Sequence, residues 1–197
     1  MTAFYLTHPQ VEIEPERPVP EWRLSGRGRQ RVEAMLGKTW LRPIRRIVSS
    51  AELKAVETAA LIAARLGVAI EVDPEMGEND RSATGFLQPD EFEAAADRFF
   101  GEPQKSWRGW ERAVDAADRI EAAVRRALNR SELVPTLLVG HGAVGTLLKC
   151  RIGSRRISRR EDQPAGGGSL FAFGIASREL LCDWTPMETF EGVDRAG

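Results

Sequence analysis

The sequence predicts a three-layer α/β/α sandwich with a mainly parallel sheet. Short apolar runs, typical of strands, alternate along the chain with stretches of helical periodicity. The apolar runs lack an alternation of polar and apolar residues, so we expect helices to cover both faces of the sheet. The 197 residues are enough for a substantial core, and residues 1–197 are expected to form a single domain.

The first half of the chain alternates three predicted strands with two predicted helices. The strands are apolar runs at residues 3–7, 44–48 and 68–72. The helices span 26–37 and 51–66, and each follows a serine, Ser25 or Ser50, whose hydroxyl can accept a hydrogen bond from a free helical N–H group. Residues 9–23 are rich in proline and are predicted to form a long functional loop.

The second half begins with a long loop at residues 73–89 and continues with helices and strands. Helices are predicted at residues 90–100, 110–128 and 143–152. Strands are predicted at residues 135–140, 169–174 and 179–184. The last two strands flank a short turn, and we expect them to form a hairpin.

The composition excludes several classes of function. A net charge of -1 gives no general attraction to nucleic acid or anionic membranes, and the arginine-rich run at 151–160 is interpreted as a solvated loop. No apolar stretch reaches the roughly 20 residues that span a bilayer, and no secretory signal is recognised, so a cytoplasmic location is expected. Cys150 and Cys182 are expected to pack in the core, and the spacing of histidines and cysteines predicts no metal site.

Polar side chains gather where three of the predicted strands end. His8 and His141 are the two histidines of the chain, and each directly follows an apolar run. Ser49 and Ser50 follow the second strand, with Lys54 in the first turn of the next helix. Strand ends of an open parallel sheet are where binding sites form. Two imidazoles beside a cation at a helix N-terminus suit a phosphoryl group, because a lysine there is favourable only if it faces an anion.

Five segments of the chain resemble motifs of the histidine phosphatase superfamily, also called phosphoglycerate mutase-like. Residues 49–59, SSAELKAVETA, resemble its signature SSxxxRAxxTA. Residues 139–142, VGHG, resemble its second histidine motif, and residues 24–31 resemble its helix start LTxxGxxQ. Residues 7–9, Thr-His-Pro, stand where the family has Arg-His-Gly, and residues 76–78 stand where the family's acid lies.

The resemblance implies a phosphoglycerate mutase-like fold and hydrolysis of a phosphate monoester without a metal or cofactor. His8 would attack phosphorus and form a phosphohistidine. Glu78 would protonate the leaving oxygen and then activate water, and His141 would stabilise charge on the transferring group. Other carboxylates that remain alternatives for the acid are Glu57, Glu75 and Asp80.

The resemblance implies that phosphate binding depends on the residues that replace two arginines of the family pattern. Thr7 and Lys54 stand at those positions; threonine offers a neutral hydroxyl, and lysine offers a point charge in place of arginine's planar fork. Pro9 also removes a backbone N–H that could have faced the anion. Candidates for a replacement cation are Arg17, Arg23 and Arg81.

These departures leave a second function open, that of a catalytically weak or inactive relative that binds a phosphorylated ligand or partner. A phosphomutase is less favoured. It must retain phosphate on His8, and the replacement of two arginines by Thr7 and Lys54 weakens the binding of the anion. The expected partner is a small phosphorylated substrate or a phosphate ion, without a nucleic-acid or membrane partner. A homodimer is compatible with the sequence.

Overall fold

A computed structural model describes residues 1–193 and places six strands in one mixed sheet. The strands are β1 (Thr2–Thr7), β2 (Arg46–Ser49), β3 (Ile70–Val72), β4 (Thr136–Gly140), β5 (Ser169–Gly174) and β6 (Leu180–Pro186). Their order across the sheet is β3-β2-β4-β1-β5-β6. The first four of these neighbours pair in parallel, whereas β5 and β6 pair antiparallel. The predicted mainly parallel sheet and the C-terminal hairpin are therefore confirmed.

Five helices flank the sheet in the described part of the chain. They are α1 (Gly26–Met35), α2 (Leu53–Leu66), α3 (Pro89–Gly101), α4 (Ala113–Leu128) and α5 (Gly142–Ile152). Within residues 1–193, none of the helices combines the length and the apolar character that crossing a membrane requires.

Strand β1 shows why the protein has three layers. Its side chains alternate between two apolar cores: Ala3 and Tyr5 face one, and Phe4 and Leu6 face the other. The first core includes side chains of α3, α4 and α5, and the second includes side chains of α1 and α2. All four strand residues are buried, so the uninterrupted apolar run reflects a strand covered on both faces.

Helix α2 begins later than the sequence predicts. Ser50 is not its cap; the helix starts at Leu53, and Glu52 is the residue that precedes it. The Ser50 hydroxyl accepts a hydrogen bond from the Glu52 N–H (3.2 Å) and lies 2.8 Å from the imidazole of His141. The prediction was wrong because the hydroxyl of this serine binds the turn before the helix and the histidine at the end of the neighbouring strand. As a result, the Glu52 side chain faces the ends of the strands.

The parallel pairing of β1, β4 and β2 brings three strand ends together. Thr7 lies opposite Gly140, and Ser49 lies opposite Val139. The pairing continues beyond the strands, since the His8 N–H donates to the Gly140 carbonyl (3.0 Å). His8 and His141 therefore leave adjacent strands at the same edge of the sheet.

Candidate active site

Tyr5 fixes the backbone of His141. The His141 N–H donates to the Tyr5 hydroxyl (3.1 Å), which in turn donates to the His141 carbonyl (3.3 Å). The tyrosine ring reaches this position because residue 140 is glycine: a Cβ atom at Gly140 would lie 2.2 Å from the Tyr5 hydroxyl oxygen. Burial raises the pKa of Tyr5, so the hydroxyl remains a proton donor at all ordinary pH values.

The His8 ring is a neutral imidazole held by its neighbour in the chain. Its Nδ1 lies 2.8 Å from the Pro9 carbonyl, which can only accept a hydrogen bond, so the proton is on Nδ1 and the lone pair is on Nε2. Burial lowers the pKa of His8 to about 4, and the imidazole is neutral at neutral pH. Pro9 thus supplies the carbonyl that orients the ring, even though it lacks an N–H.

His141 faces His8, with 5.2 Å between the ring centroids. Its Nε2 lies 2.8 Å from the Ser50 hydroxyl and 3.4 Å from a carboxylate oxygen of Glu52. Burial lowers the pKa of His141 to about 3, against the opposing effect of Glu52. We therefore describe His141 as a neutral imidazole that interacts through hydrogen bonds, and its fully buried Nδ1 has no partner among residues 1–193.

The Glu78 carboxylate lies at the N-terminus of α5, the helix that begins directly after His141. It accepts hydrogen bonds from the N–H groups of Asn79 (3.0 Å), Ala143 (3.1 Å) and Val144 (3.1 Å). Burial raises the pKa of Glu78, and this effect outweighs the lowering by Arg81 and by the backbone donors. A carboxyl group with a raised pKa that lines the same cleft as His8 is suited to proton transfer.

The alternative carboxylates have other surroundings. Glu57 accepts from the Leu24 N–H (2.8 Å) and pairs with Arg23 (3.2 Å), which ties the proline-rich loop to α2. Asp80 accepts from the Ser82 N–H (2.9 Å), and Glu75 is exposed. Of these candidates, Glu78 is the one that the structure brings to the N-terminus of α5.

Lys54 is a buried cation that already has an anionic partner. The side chain is 3% exposed, and its ammonium group donates to the Glu52 carboxylate (2.5 Å) and to the Val19 carbonyl (2.8 Å). Burial alone would raise the pKa of Glu52, but the charge of Lys54 and the hydrogen bonds that the carboxylate accepts lower it to about 2. Glu52 is ionised at neutral pH, so this pair is a nearly dry ion pair.

Sequence reasoning missed Glu52, although it lies within the family-like segment at residues 49–59. The available signal was a carboxylate two residues before a lysine at the start of a helix. Neither the resemblance nor the predicted helix start drew attention to it, because with a start at residue 51 Glu52 would be an ordinary residue of the first turn.

The two other proposed phosphate ligands, Thr7 and Arg17, do not join Lys54. Thr7 is fully buried, and its hydroxyl bonds to the backbone of Ser169 and to the Gln163 side chain (2.7 Å). Arg17 is exposed and pairs with Glu14 (2.9 Å). Thr7 therefore links β1 to β5, and Arg17 lies at the surface.

Arg81 is the predicted replacement cation that the structure places beside the site. It lines two clefts together with Glu78 and Asn79, and its guanidinium group lies 4.9 Å from the centroid of the Phe92 ring. The smaller cleft, about 530 Å³, extends towards Val19. The larger one, about 620 Å³, extends past His8 to the glycines at 166–167. The two clefts leave room for a phosphoryl group beside His8 and for the rest of a ligand beyond it.

Replacing Thr7 with valine tests whether this residue is structural. Valine keeps the shape but leaves the buried Ser169 N–H without its partner, so the free energy of unfolding should fall by about 1–3 kcal/mol in urea denaturation. Thr185→Val on β6, where the hydroxyl is partly exposed, should change it by less than ~0.5 kcal/mol. Unchanged stability together with lost affinity for inorganic phosphate would assign Thr7 to ligand binding instead.

The fold and the site define a class of protein: an α/β protein with two facing histidines at the carboxyl edge of a mainly parallel sheet. The family model of the histidine phosphatase superfamily (branch 1) matches residues 8–181, and the chain belongs to this family. The match begins at His8 and includes His141 and Glu78.

Several solved structures share this fold. A mycobacterial glucosyl-3-phosphoglycerate phosphatase, solved with inorganic phosphate, is 21% identical with a TM-score of 0.78, and the alignment covers 96% of this chain and 99% of that one. YhfR of Bacillus stearothermophilus is 20% identical with a TM-score of 0.77 and coverages of 91% and 93%. A phosphoserine phosphatase of Entamoeba histolytica, solved with 3-phosphoglyceric acid, is 13% identical with a TM-score of 0.76 and coverages of 96% and 99%. Comparison with curated protein sequences gives no match.

Proposed function

We propose that the protein hydrolyses phosphate monoesters through a phosphohistidine on His8. The observation that carries this proposal is the state of the His8 ring. Its Nδ1–H is bound to the Pro9 carbonyl, and the neutral imidazole lies in the larger cleft facing His141. A lone pair on Nε2 is what an attack on phosphorus requires. Membership of the histidine phosphatase superfamily supports the same reaction class.

In the first step, His8 Nε2 forms a bond to phosphorus while the bond between phosphorus and the ester oxygen breaks. Protonated Glu78 donates its proton to that oxygen, which leaves as an alcohol. Arg81 lines the cleft that contains His8 and would donate hydrogen bonds to the transferring oxygens. His141, whose ring faces that of His8, is the second group proposed for this role. The product of this step is a phosphohistidine and a Glu78 carboxylate.

In the second step, water attacks phosphorus and the bond between phosphorus and His8 breaks. The Glu78 carboxylate accepts the proton of the water, so the site returns to its starting state and releases inorganic phosphate. The pH range of activity follows from the two groups. Activity is lost as pH falls through the His8 pKa of about 4, because protonation removes the lone pair. It is also lost as pH rises through the raised pKa of Glu78, because the acid is then deprotonated.

Trapping the intermediate tests the proposal. The protein is mixed with a ³²P-labelled aryl phosphate, quenched in alkali, which preserves phosphohistidine, and digested. Label should appear on the peptide that contains His8, and acid should remove it. The chain has two histidines, so the assignment is binary. Label on the His141 peptide, or no label in a protein that still turns over substrate, would contradict the proposal.

A catalytically inactive protein that binds a phosphorylated ligand is the second candidate. The specific observation in its favour is the pairing of Lys54 with Glu52, which leaves the buried lysine without a free positive charge for the transition state. In that case the trapping experiment gives no label and no phosphate is released, while ligand binding persists. A phosphomutase remains the less favoured alternative.

A further inference from the structure

The carboxylate of Glu52 occupies the centre of the predicted anion-binding groups. One oxygen lies 2.5 Å from the ammonium group of Lys54. The other accepts the N–H of Glu78 (2.7 Å) and lies 3.4 Å from Nε2 of His141. The side chain of Glu52 is 12% exposed, so water screens these contacts little. A planar anion is thus held by a lysine and a backbone N–H, with a histidine beside it.

These partners are of the kind that would hold a phosphoryl group. A buried ammonium group, a backbone N–H and an imidazole are all donors that recognise phosphate oxygens. In the present state the ammonium group and the N–H are directed at Glu52, while the imidazole is bound to the Ser50 hydroxyl with the Glu52 carboxylate 3.4 Å away. The positive charge of Lys54 is cancelled locally. Two arginines line the clefts beside Glu78, and of these Arg159 is paired with Glu93 and Asp162.

We propose that Glu52 is a built-in anion of the phosphate site, and that a phosphoryl group binds beside Lys54 and His141 only by displacing this carboxylate. The proposal rests on the proposed function, because it assumes that these groups form a phosphate site. Glu52 is then a specificity-determining residue. It disfavours free inorganic phosphate and favours esters whose remaining part adds contacts in the larger cleft, since those contacts offset the displacement of the carboxylate.

Measuring the binding of inorganic phosphate to the Glu52→Gln variant tests this. Glutamine keeps the shape and an oxygen for the Glu78 N–H but removes the charge, so Lys54 becomes available to the ligand. By isothermal titration calorimetry, the dissociation constant should fall at least tenfold relative to the unaltered protein, which is about 1.4 kcal/mol at 25 °C. The melting temperature of the variant should be lower without phosphate, and phosphate should raise it more than it raises that of the unaltered protein.

Glu57→Gln is the matched control. It removes the same charge from α2, the helix that Glu52 directly precedes, but Glu57 contacts Arg23 and the Leu24 backbone rather than Lys54. Its affinity for phosphate should stay within threefold of the unaltered protein. A similar gain in both variants would show a general effect of net charge and would overturn the proposal, as would a folded Glu52→Gln variant that binds phosphate no more tightly than the unaltered protein.

A second measurement needs no variant. A crystal structure of the unaltered protein at saturating phosphate should show the ion against Lys54 and His141, with the Glu52 carboxylate moved away. Phosphate bound elsewhere, or bound while Glu52 keeps its contacts with Lys54, would overturn the proposal. Both measurements report binding at equilibrium. They can succeed in a protein that has no turnover, and they can fail in one that is an active phosphatase, so the outcome is separate from that of the trapping experiment.

Discussion

Replacing His8 with alanine should lower kcat/KM for p-nitrophenyl phosphate by roughly four orders of magnitude or more, because removal of a nucleophile leaves only the binding and electrostatic contributions. The fold should tolerate the change. The hydrogen bond that the His8 side chain makes is to the carbonyl of its neighbour Pro9, and the strand contacts of residue 8 are made by its backbone. Steady-state kinetics on protein with an unchanged circular dichroism spectrum measures the effect.

Ile13→Ala provides the control for this experiment. Ile13 lines the same cleft and is 61% exposed, so its truncation removes contact area without touching the histidines. Its kcat/KM should stay within a few-fold of that of the unaltered protein. Equal rates for the unaltered protein and His8→Ala would exclude a nucleophilic role for His8, and the activity would then have to come from another group.

Replacing Glu78 with glutamine should have an effect that depends on the leaving group. For an alkyl phosphate, whose leaving oxygen needs a proton, kcat should fall by roughly 10²–10⁴-fold, the usual contribution of a general acid. For p-nitrophenyl phosphate the leaving group departs without a proton, so the first step should be little affected. The decrease in rate at high pH that Glu78 causes in the unaltered protein should disappear in the variant, because glutamine does not titrate.

The same variant should accumulate the intermediate. With p-nitrophenyl phosphate, His8 is phosphorylated at a near-normal rate, but no carboxylate remains to activate water, so a burst of p-nitrophenol precedes a slow steady state. Asp80→Asn is the control: this carboxylate is bound to the Ser82 N–H in the adjoining loop, and its replacement should change kcat less than threefold. An equal loss of rate for alkyl and aryl esters, without a burst, would remove Glu78 from the role of proton donor.

The fold could be predicted from the sequence because its strands are short apolar runs and the apolar residues of its helices recur at helical spacing. The run at residues 3–7 contributes side chains to both cores. Its lack of alternation between polar and apolar residues shows that both faces of the strand are covered. The main error of the prediction, the start of α2, has a clear cause. Ser50 has the composition of a helix cap, but its hydroxyl is directed to His141, which is distant in sequence.

The candidate site was only partly predictable. Strand ends placed His8, His141 and Ser50 together, because parallel strands present their carboxyl ends at one edge. The environment of Thr7 could not be read from local sequence, since its partners Gln163 and Ser169 come from the far end of the chain. The role of Glu52 was hidden for a related reason: a carboxylate beside a lysine looks like a surface pair until burial shows that it is not.

The pairing of β1 with β4 has a consequence for how proteins of this shape diverge. His8 and His141 directly follow the central strands β1 and β4, and a hydrogen bond to Tyr5 ties His141 to β1. The distance between the two imidazoles is therefore preorganised during folding, and little of it has to be set when a ligand arrives. The loops that border the clefts are held by other contacts, such as those of Lys54 with the Val19 carbonyl and of Arg31 with the Gly167 carbonyl. Substitutions there can alter which leaving group is accepted while the reacting pair keeps its geometry, so chemistry and selectivity can evolve separately.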